Sequence, residues 1–281
     1  MIRKPFRIAA VIAAIFAVGQ TTGFSLVTST GNPEHTSERA LQRALRSLMK
    51  TPTAFPFFEN VGILNESTGV YIGRGYVLTA AHVGPGEFQL ADGSTYQPIP
   101  GSEQRFQNPD GSFSDLCVFR IRFASNDSLA KLKDIPLGPV CPNHGSYVVM
   151  MGAGSGNSGT NRRSSAGAKF HWNDDYRIRW GVNRVANQFG SMMKTFRYQT
   201  PGYSTEFRPG SFQCQATPGD SGGAAFVYNR HTKQWELGGI ILAVDSEDGG
   251  AAFGNQTYIA DLTILPSDVF KSAGLVATRS R

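Results

Sequence analysis

Thr217-Pro218-Gly219-Asp220-Ser221-Gly222-Gly223 sets a serine between glycines, directly after an aspartate. Glycines free the backbone for a tight turn, and such a turn exposes a hydroxyl to a substrate. A hydroxyl becomes a nucleophile only beside a base, and the base works best when a carboxylate orients it. Working outward from Ser221, two upstream stretches supply those groups. Val77-Leu78-Thr79-Ala80-Ala81-His82 ends an apolar strand on a histidine, and Asp115-Leu116-Cys117-Val118-Phe119-Arg120-Ile121 opens one on an aspartate. Of the five histidines, His35, His82, His144, His171 and His231, only His82 ends such a run. His144, His171 and His231 lie in polar stretches.

The order His, Asp, Ser also decides between folds. Gly219-Asp220-Ser221-Gly222-Gly223 fits the G-x-S-x-G turn of α/β-hydrolases, but there the acid and then the histidine follow the serine. Here only His231 follows Ser221, ten residues on, with no space for the intervening acid-bearing strands.

From residue 57 onward the chain alternates short apolar runs with turn residues. Val61–Leu64, 69–72 and 75–80 read as strands, with turn signals at Asp92-Gly93 and Asp110-Gly111. Leu116 to Phe123 closes a first half, and 124–142, polar and proline-containing, reads as a crossover. Tyr147 to Gly152 opens the second half, followed by a Gly/Ser-rich loop to Gly159. Further strands are expected at 179–185, 224–228, 237–244 and 257–261, and a terminal helix over 266–273. Many short strands between turns argue for barrels or sandwiches.

The three motifs and their order resemble the trypsin/chymotrypsin-like serine peptidases, and most closely their secreted microbial branch. The resemblance runs from about residue 57 to about residue 272, and Arg179-Trp180-Gly181-Val182-Asn183-Arg184-Val185 resembles a stretch common in that branch. It implies an all-β fold of two six-stranded antiparallel barrels, the first at 57–130 with His82 and Asp115. The crossover, the second barrel with Ser221 and a short C-terminal helix would occupy 131–281. It implies hydrolysis of peptide bonds through His82 as base, Asp115 as its orienting acid and Ser221 as nucleophile. By the same carry-over the N–H groups of Gly219 and Ser221 form the oxyanion hole. Gln215 stands at the pocket floor, with Leu242, Ala243 and Val244 along the substrate groove. An uncharged floor and Val244 at the pocket mouth imply small or medium uncharged side chains, although Asp245, Glu247 and Asp248 lie close by. Activity is expected to rise with pH as the base loses its proton. In digestive relatives a new N-terminus pairs with the aspartate before the nucleophile. No such start exists near Val61, which Glu59-Asn60 precede, so Asp220 is expected to pair with an internal cation or N–H groups. Two other classes fit the same fold: a non-catalytic binding protein, and an esterase using the same triad.

The remaining features bound the setting. The chain has 281 residues, 32 glycines and 17% charged residues, a globular and loop-rich composition. Arg3, Lys4 and Arg7 followed by the apolar run Ile8 to Val18 read as a signal peptide, 1–19, cleaved after Gly19 or later near Ser25. Its removal takes the basic count from 27 to 24, against 21 acidic residues, which gives no basis for nucleic-acid binding. Secretion or a periplasmic location follows, with protein or peptide substrates as partners and no stable membrane anchor after cleavage. Residues 20–56 read as an extension: a flexible stretch to about 37, then a helix from Ser37 over Glu38 to Lys50, with Ala40, Leu41, Ala44, Leu45 and Leu48 on one face. Either a pro-segment or a helix packed on the outside fits this pattern. Three cysteines allow one bridge at most: Cys117 reads as a buried thiol, which leaves Cys141 and Cys214 as the pair. No cofactor is implied, and no metal: His171-Trp172-Asn173-Asp174-Asp175 lacks the spacing of a ligand loop. Asn65-Glu66-Ser67 and Asn126-Asp127-Ser128 match the glycosylation triplet, relevant only in a eukaryotic secretory pathway.

Overall fold

A computed structural model describes residues 26–30, 33–50, 54–108, 110–138, 141–154, 156–164, 167–173, 177–246 and 250–264. The signal peptide at 1–19 and the helix expected at 266–273 lie outside the described residues.

The first element corrects the reading of a flexible lead. Leu26 and Val27 are apolar and fully buried, and β1 (Val27–Thr28) adds to Cys214–Gln215 as an antiparallel strand. Helix α1 (Glu38–Met49) starts where Ser37 Oγ accepts the Ala40 N–H at 3.3 Å, with Glu38 favourably placed against the helix dipole. It ends at Lys50, whose φ of 52° is left-handed. Ala40, Leu41, Ala44 and Leu45 recur at helical spacing and are all buried, in one core with Phe55, Phe57, Phe226 and Trp235. Gln42 clips the following chain down through both ends of its carboxamide, to Phe55 N–H and Phe55 C=O. His35, also buried, bonds the Trp180 carbonyl through Nδ1 at 2.7 Å and stacks near the Trp180 ring. The helix is packed on the fold's outside. Leu41→Ala is expected to cost about 3 kcal/mol, read as a lowered denaturation midpoint; an unchanged midpoint would mean the helix contributes nothing to stability.

In the first half, β2 (Val61–Leu64), β3 (Ser67–Gly73), β4 (Tyr76–Thr79), β5 (Phe88–Gln89), β6 (Thr95–Tyr96), β7 (Gln104–Gln107) and β8 (Phe113–Arg120) form one antiparallel sheet ordered β6-β5-β2-β3-β4-β8-β7. Six strands were expected. The seventh arises because the Asp92-Gly93 turn folds one stretch back into the β5–β6 hairpin, Gly93 taking φ of 85°. The sheet curls on itself: Ile99 N–H bonds the Arg120 carbonyl and Arg122 N–H the Gln97 carbonyl. Leu64, Tyr71, Val77, Phe88, Tyr96, Cys117 and Phe119 pack together inside the curl.

The second half holds β9 (Tyr147–Gly152), β10 (Gly156–Ser164), β11 (Gly167–Asn173), β12 (Arg179–Thr195), β13 (Tyr198–Glu206), β14 (Cys214–Gln215), β15 (Ala224–Asn229), β16 (Gln234–Val244), β17 (Ala251–Ala252) and β18 (Gln256–Asp261). Six of these close a barrel, β12-β13-β18-β16-β15-β9. Period-two alternation makes the closure possible. Val148 or Met150, Val185, Tyr203, Ala225, Ile241 and Ile259, contributed by all six strands, cluster on one face and so fill the barrel. The residues between them, Val149, Met151, Val182, Ala224, Ile240 and Leu242, face out and join Val61, Val70, Leu78 and Val118 in the core between the halves. The Gly/Ser-rich loop expected to run to Gly159 is instead β10, paired antiparallel with β11, because the two stretches satisfy each other's main-chain groups around a bulge. His171 and Asn173 lie on β11.

The three thiols are free, so the expected Cys141–Cys214 bridge is absent. Cys214 is wholly buried against the barrel core beneath Gly181, while Cys141 lies half-buried beside Gln188 and Pro142. Burial pushes the Cys117 and Cys141 thiols up to about 12, which keeps both protonated and unreactive near neutrality.

Candidate active site

Antiparallel register brings the first two groups together. Thr79 of β4 stands opposite Cys117 of β8, so the chain two residues beyond Thr79 reaches the level of Asp115. There it turns, with Val83 and Gly84 N–H groups both on the Ala80 carbonyl, and His82 swings over β8. Asp115 is wholly buried. Its Oδ1 accepts the His82 main-chain N–H at 2.9 Å and its Oδ2 accepts from His82 Nδ1 at 2.8 Å. A carboxylate only accepts, so Nδ1 carries a proton, and in the neutral ring the lone pair is then on Nε2.

Two further groups on Asp115 come from the second half. Thr195 Oγ1 donates to Oδ2 at 2.5 Å, and the Asp115 N–H donates to Thr200 Oγ1 at 2.7 Å. Both threonines flank the tip of the β12–β13 hairpin, which crosses onto the first half. Tyr198 joins that half's interior, and its hydroxyl accepts from Arg105 at 3.0 Å. At the tip, Phe196 lies over the His82 ring with 5.0 Å between centroids.

The Ser221 turn is latched to the first half by Thr68 of β3. The Thr68 N–H donates to the Ser221 carbonyl and its hydroxyl to the Gly219 carbonyl, both at 3.0 Å, while the same hydroxyl accepts the Ala153 N–H. Gly219 and Gly222 have φ of 93° and 84°, conformations that side chains resist. At Gly222 space forbids a side chain as well: a Cβ would stand 2.0 Å from the Thr68 carbonyl oxygen and 2.2 Å from Thr79 Oγ1. Gly222→Ala is therefore expected to destabilise the protein by about 3 kcal/mol, by denaturant titration. A loss under about 0.5 kcal/mol would show that the latch yields. The Ser221 hydroxyl bonds the Leu242 carbonyl at 3.5 Å and has no hydrogen bond to His82. The N–H groups of Gly219 and Ser221 have no acceptor among the described residues.

Asp220 lies wholly buried under this turn. Its Oδ2 accepts the Thr217 N–H at 2.8 Å and the Thr217 hydroxyl at 3.1 Å, and its Oδ1 the Gly154 N–H at 3.2 Å. N–H groups thus hold it, as expected from the missing N-terminal partner. Burial pushes its carboxyl up to about 8, against the pull of these donors and of the Arg179 charge. A folded value above the ordinary 3.8 favours the neutral form, so this group's contribution to stability is full below that value and is lost as pH rises through about 8. Wild type is expected to lose stability relative to Asp220→Asn between about pH 4 and pH 8. A gap between their urea midpoints that stays constant over this range would contradict it.

Leu242 is buried, whereas Ala243 and Val244 are partly exposed next to Ser221's partner carbonyl. Gln215 is fully buried and spends its carboxamide on main chain, donating to the Asp245 carbonyl at 2.7 Å and accepting the Ala252 N–H. The Asp245 carboxylate is engaged as well, by the Tyr258 hydroxyl at 2.9 Å and the Gln256 N–H at 3.0 Å. Thr68, Thr195, Thr200 and Phe196 had not been singled out from sequence. Each acts across a gap of many residues, and isolated threonines in strands carry no motif.

The fold is similar to that of neuropsin, a serine protease expressed in the limbic system of mouse brain, with a TM-score of 0.52 over 78% of this chain and 96% of that one, at 16% identity. That likeness is one of fold, the chymotrypsin-like fold. No curated protein matches the sequence. The immunoglobulin A1 protease family matches residues 43–262, which span both halves and the His82, Asp115 and Ser221 positions. The chain belongs to that family of serine peptidases.

Proposed function

We propose that the protein is an exported serine endopeptidase in which His82, Asp115 and Ser221 act as the triad. The observation that carries this reading is the His82–Asp115 pair, with Nδ1 committed to a buried carboxylate and Nε2 left as a base, beside a serine turn latched to the same half of the molecule. Ser221 Oγ attacks the scissile carbonyl carbon while Nε2 takes its proton. The imidazolium then protonates the departing amine, leaving an acyl-enzyme on Ser221 that water hydrolyses with His82 again as base. Rotation about the serine Cα–Cβ bond carries the hydroxyl from the Leu242 carbonyl toward Nε2; catalytic hydrogen bonds of unliganded sites commonly tighten when substrate arrives.

The oxyanion falls to the N–H groups of Gly219 and Ser221. The left-handed turn at Gly219 and the lack of an acceptor for either N–H among the described residues support this role, and each such donor is worth roughly 3 kcal/mol in the transition state. Val244 narrows the adjoining pocket, and Gln215 braces its wall from behind, which favours small or medium uncharged side chains at the cleaved position. The test is incubation with a mixture of synthetic peptides and a denatured protein. New amino termini at internal bonds are expected, and hydrolysis of activated esters alone would contradict a peptidase.

A further inference from the structure

Phe196 is the most exposed large apolar side chain among the described residues, at 64%, and it stands on the His82 ring. It occupies a two-residue turn, Phe196-Arg197, closing the Thr195–Tyr198 pair, and takes φ of 51°. That region disfavours a bulky side chain, and residues held in it cluster at functional sites. Its base is rigid: Thr195 and Thr200 bond Asp115, Tyr198 is buried in the first half, and Asn108 Nδ2 donates to the Gln199 carbonyl at 2.6 Å. Arg197 folds back over the Tyr198 ring, its guanidinium carbon 5.3 Å from the ring centroid. The hairpin is anchored through polar groups, and the aromatic face is left to solvent beside the reacting centre.

A substrate strand has one open edge to use. β15 leaves β16 at the Ala224–Ile240 pair, whereas β18 continues beside β16 to Val244. Among the described residues the edge of 242–244 nearer Ser221 therefore has no partner strand, and an extended chain can add there. Side chains alternate along that chain. The residue bearing the cleaved carbonyl and the one before it thus point to opposite sides, and a chain whose carbonyl lies between Ser221 and His82 passes within reach of Phe196, which stands on the His82 ring.

We propose that Phe196 forms an apolar subsite for the substrate residue immediately preceding the one that bears the cleaved carbonyl, selecting aliphatic or aromatic side chains at that position. The proposal rests on the peptidase reading. The test uses chromogenic peptide amides identical except at that residue, carrying Gly, Leu, Phe, Asp or Lys, with wild type, Phe196→Ala and Phe196→Leu. Wild type is expected to prefer Leu and Phe over Gly by roughly 30-fold in kcat/KM. Phe196→Ala should remove most of that preference, mainly through KM, and Phe196→Leu should retain part of it. A flat wild-type profile, or an equal loss on every peptide in Phe196→Ala, overturns the subsite and leaves the peptidase standing. A wild type that cleaves no peptide and takes no phosphonate overturns both.

Discussion

Ser221→Ala is expected to lower kcat for amide hydrolysis by about 10⁶-fold, with KM little changed. The hydroxyl contributes little to the fold, since its one bond is 3.5 Å long, to the Leu242 carbonyl. Thr68 holds the turn through main-chain carbonyls of Gly219 and Ser221, which alanine keeps. The variant should therefore remain folded, with the N–H groups of Gly219 and of residue 221 in place, and lose only the proposed covalent route. Because nucleophile and base act as a unit, His82→Ala should cost about as much, and the double variant scarcely more than either. Steady-state kinetics on one amide substrate checks all three, with circular dichroism as the control for folding. A Ser221→Ala protein retaining a tenth of the activity would mean that another residue is the nucleophile.

Asp115→Asn is expected to lower kcat by about 10⁴-fold near neutral pH. The carboxylate takes three donors: the His82 main-chain N–H, His82 Nδ1–H and the Thr195 hydroxyl. A carboxamide has one acceptor oxygen and two N–H donors. If its oxygen serves the main-chain N–H, its NH₂ faces Nδ1, which must then give up its proton to accept. The ring proton moves to Nε2, and the base can no longer receive from Ser221. The fold should survive, because Asn matches Asp in size and the Asp115 N–H bond to Thr200 is untouched. Measuring kcat against pH for the two proteins checks this. A loss below about tenfold would show that the Asp115 carboxylate does not set the His82 tautomer.

What the sequence disclosed and what it withheld divide along one physical line. Groups fixed by local strand and turn chemistry could be read: His82 at the end of β4, Asp115 inside β8, and the glycines whose positive φ shapes the Ser221 turn. Tyr147–Gly152 was legible as a strand because it is apolar on both faces, which a barrel wall shared with a central core requires. The hairpin of β12 and β13 was legible only at its start, 179–185. Beyond Val185 polar and apolar residues no longer alternate cleanly, and the pairing that defines it is between distant residues. The positioning of Asp115 by Thr195 spans 80 residues, and no local pattern encodes it. Leu26 and Val27 sit in a Thr/Ser/Gly-rich stretch that reads as mobile, and their burial depends on an edge offered by Cys214–Gln215. The same edge strand shows why the Cys141–Cys214 pairing failed: Cys214 points into the barrel beneath Gly181, and counting cysteines carries no direction.

The most direct test of the central claim is to treat the purified protein with a fluorophosphonate and map the adduct by mass spectrometry. The account predicts one adduct, on Ser221, lost in Ser221→Ala and strongly slowed in Asp115→Asn. No adduct on the folded protein, or an adduct on another residue, would contradict it.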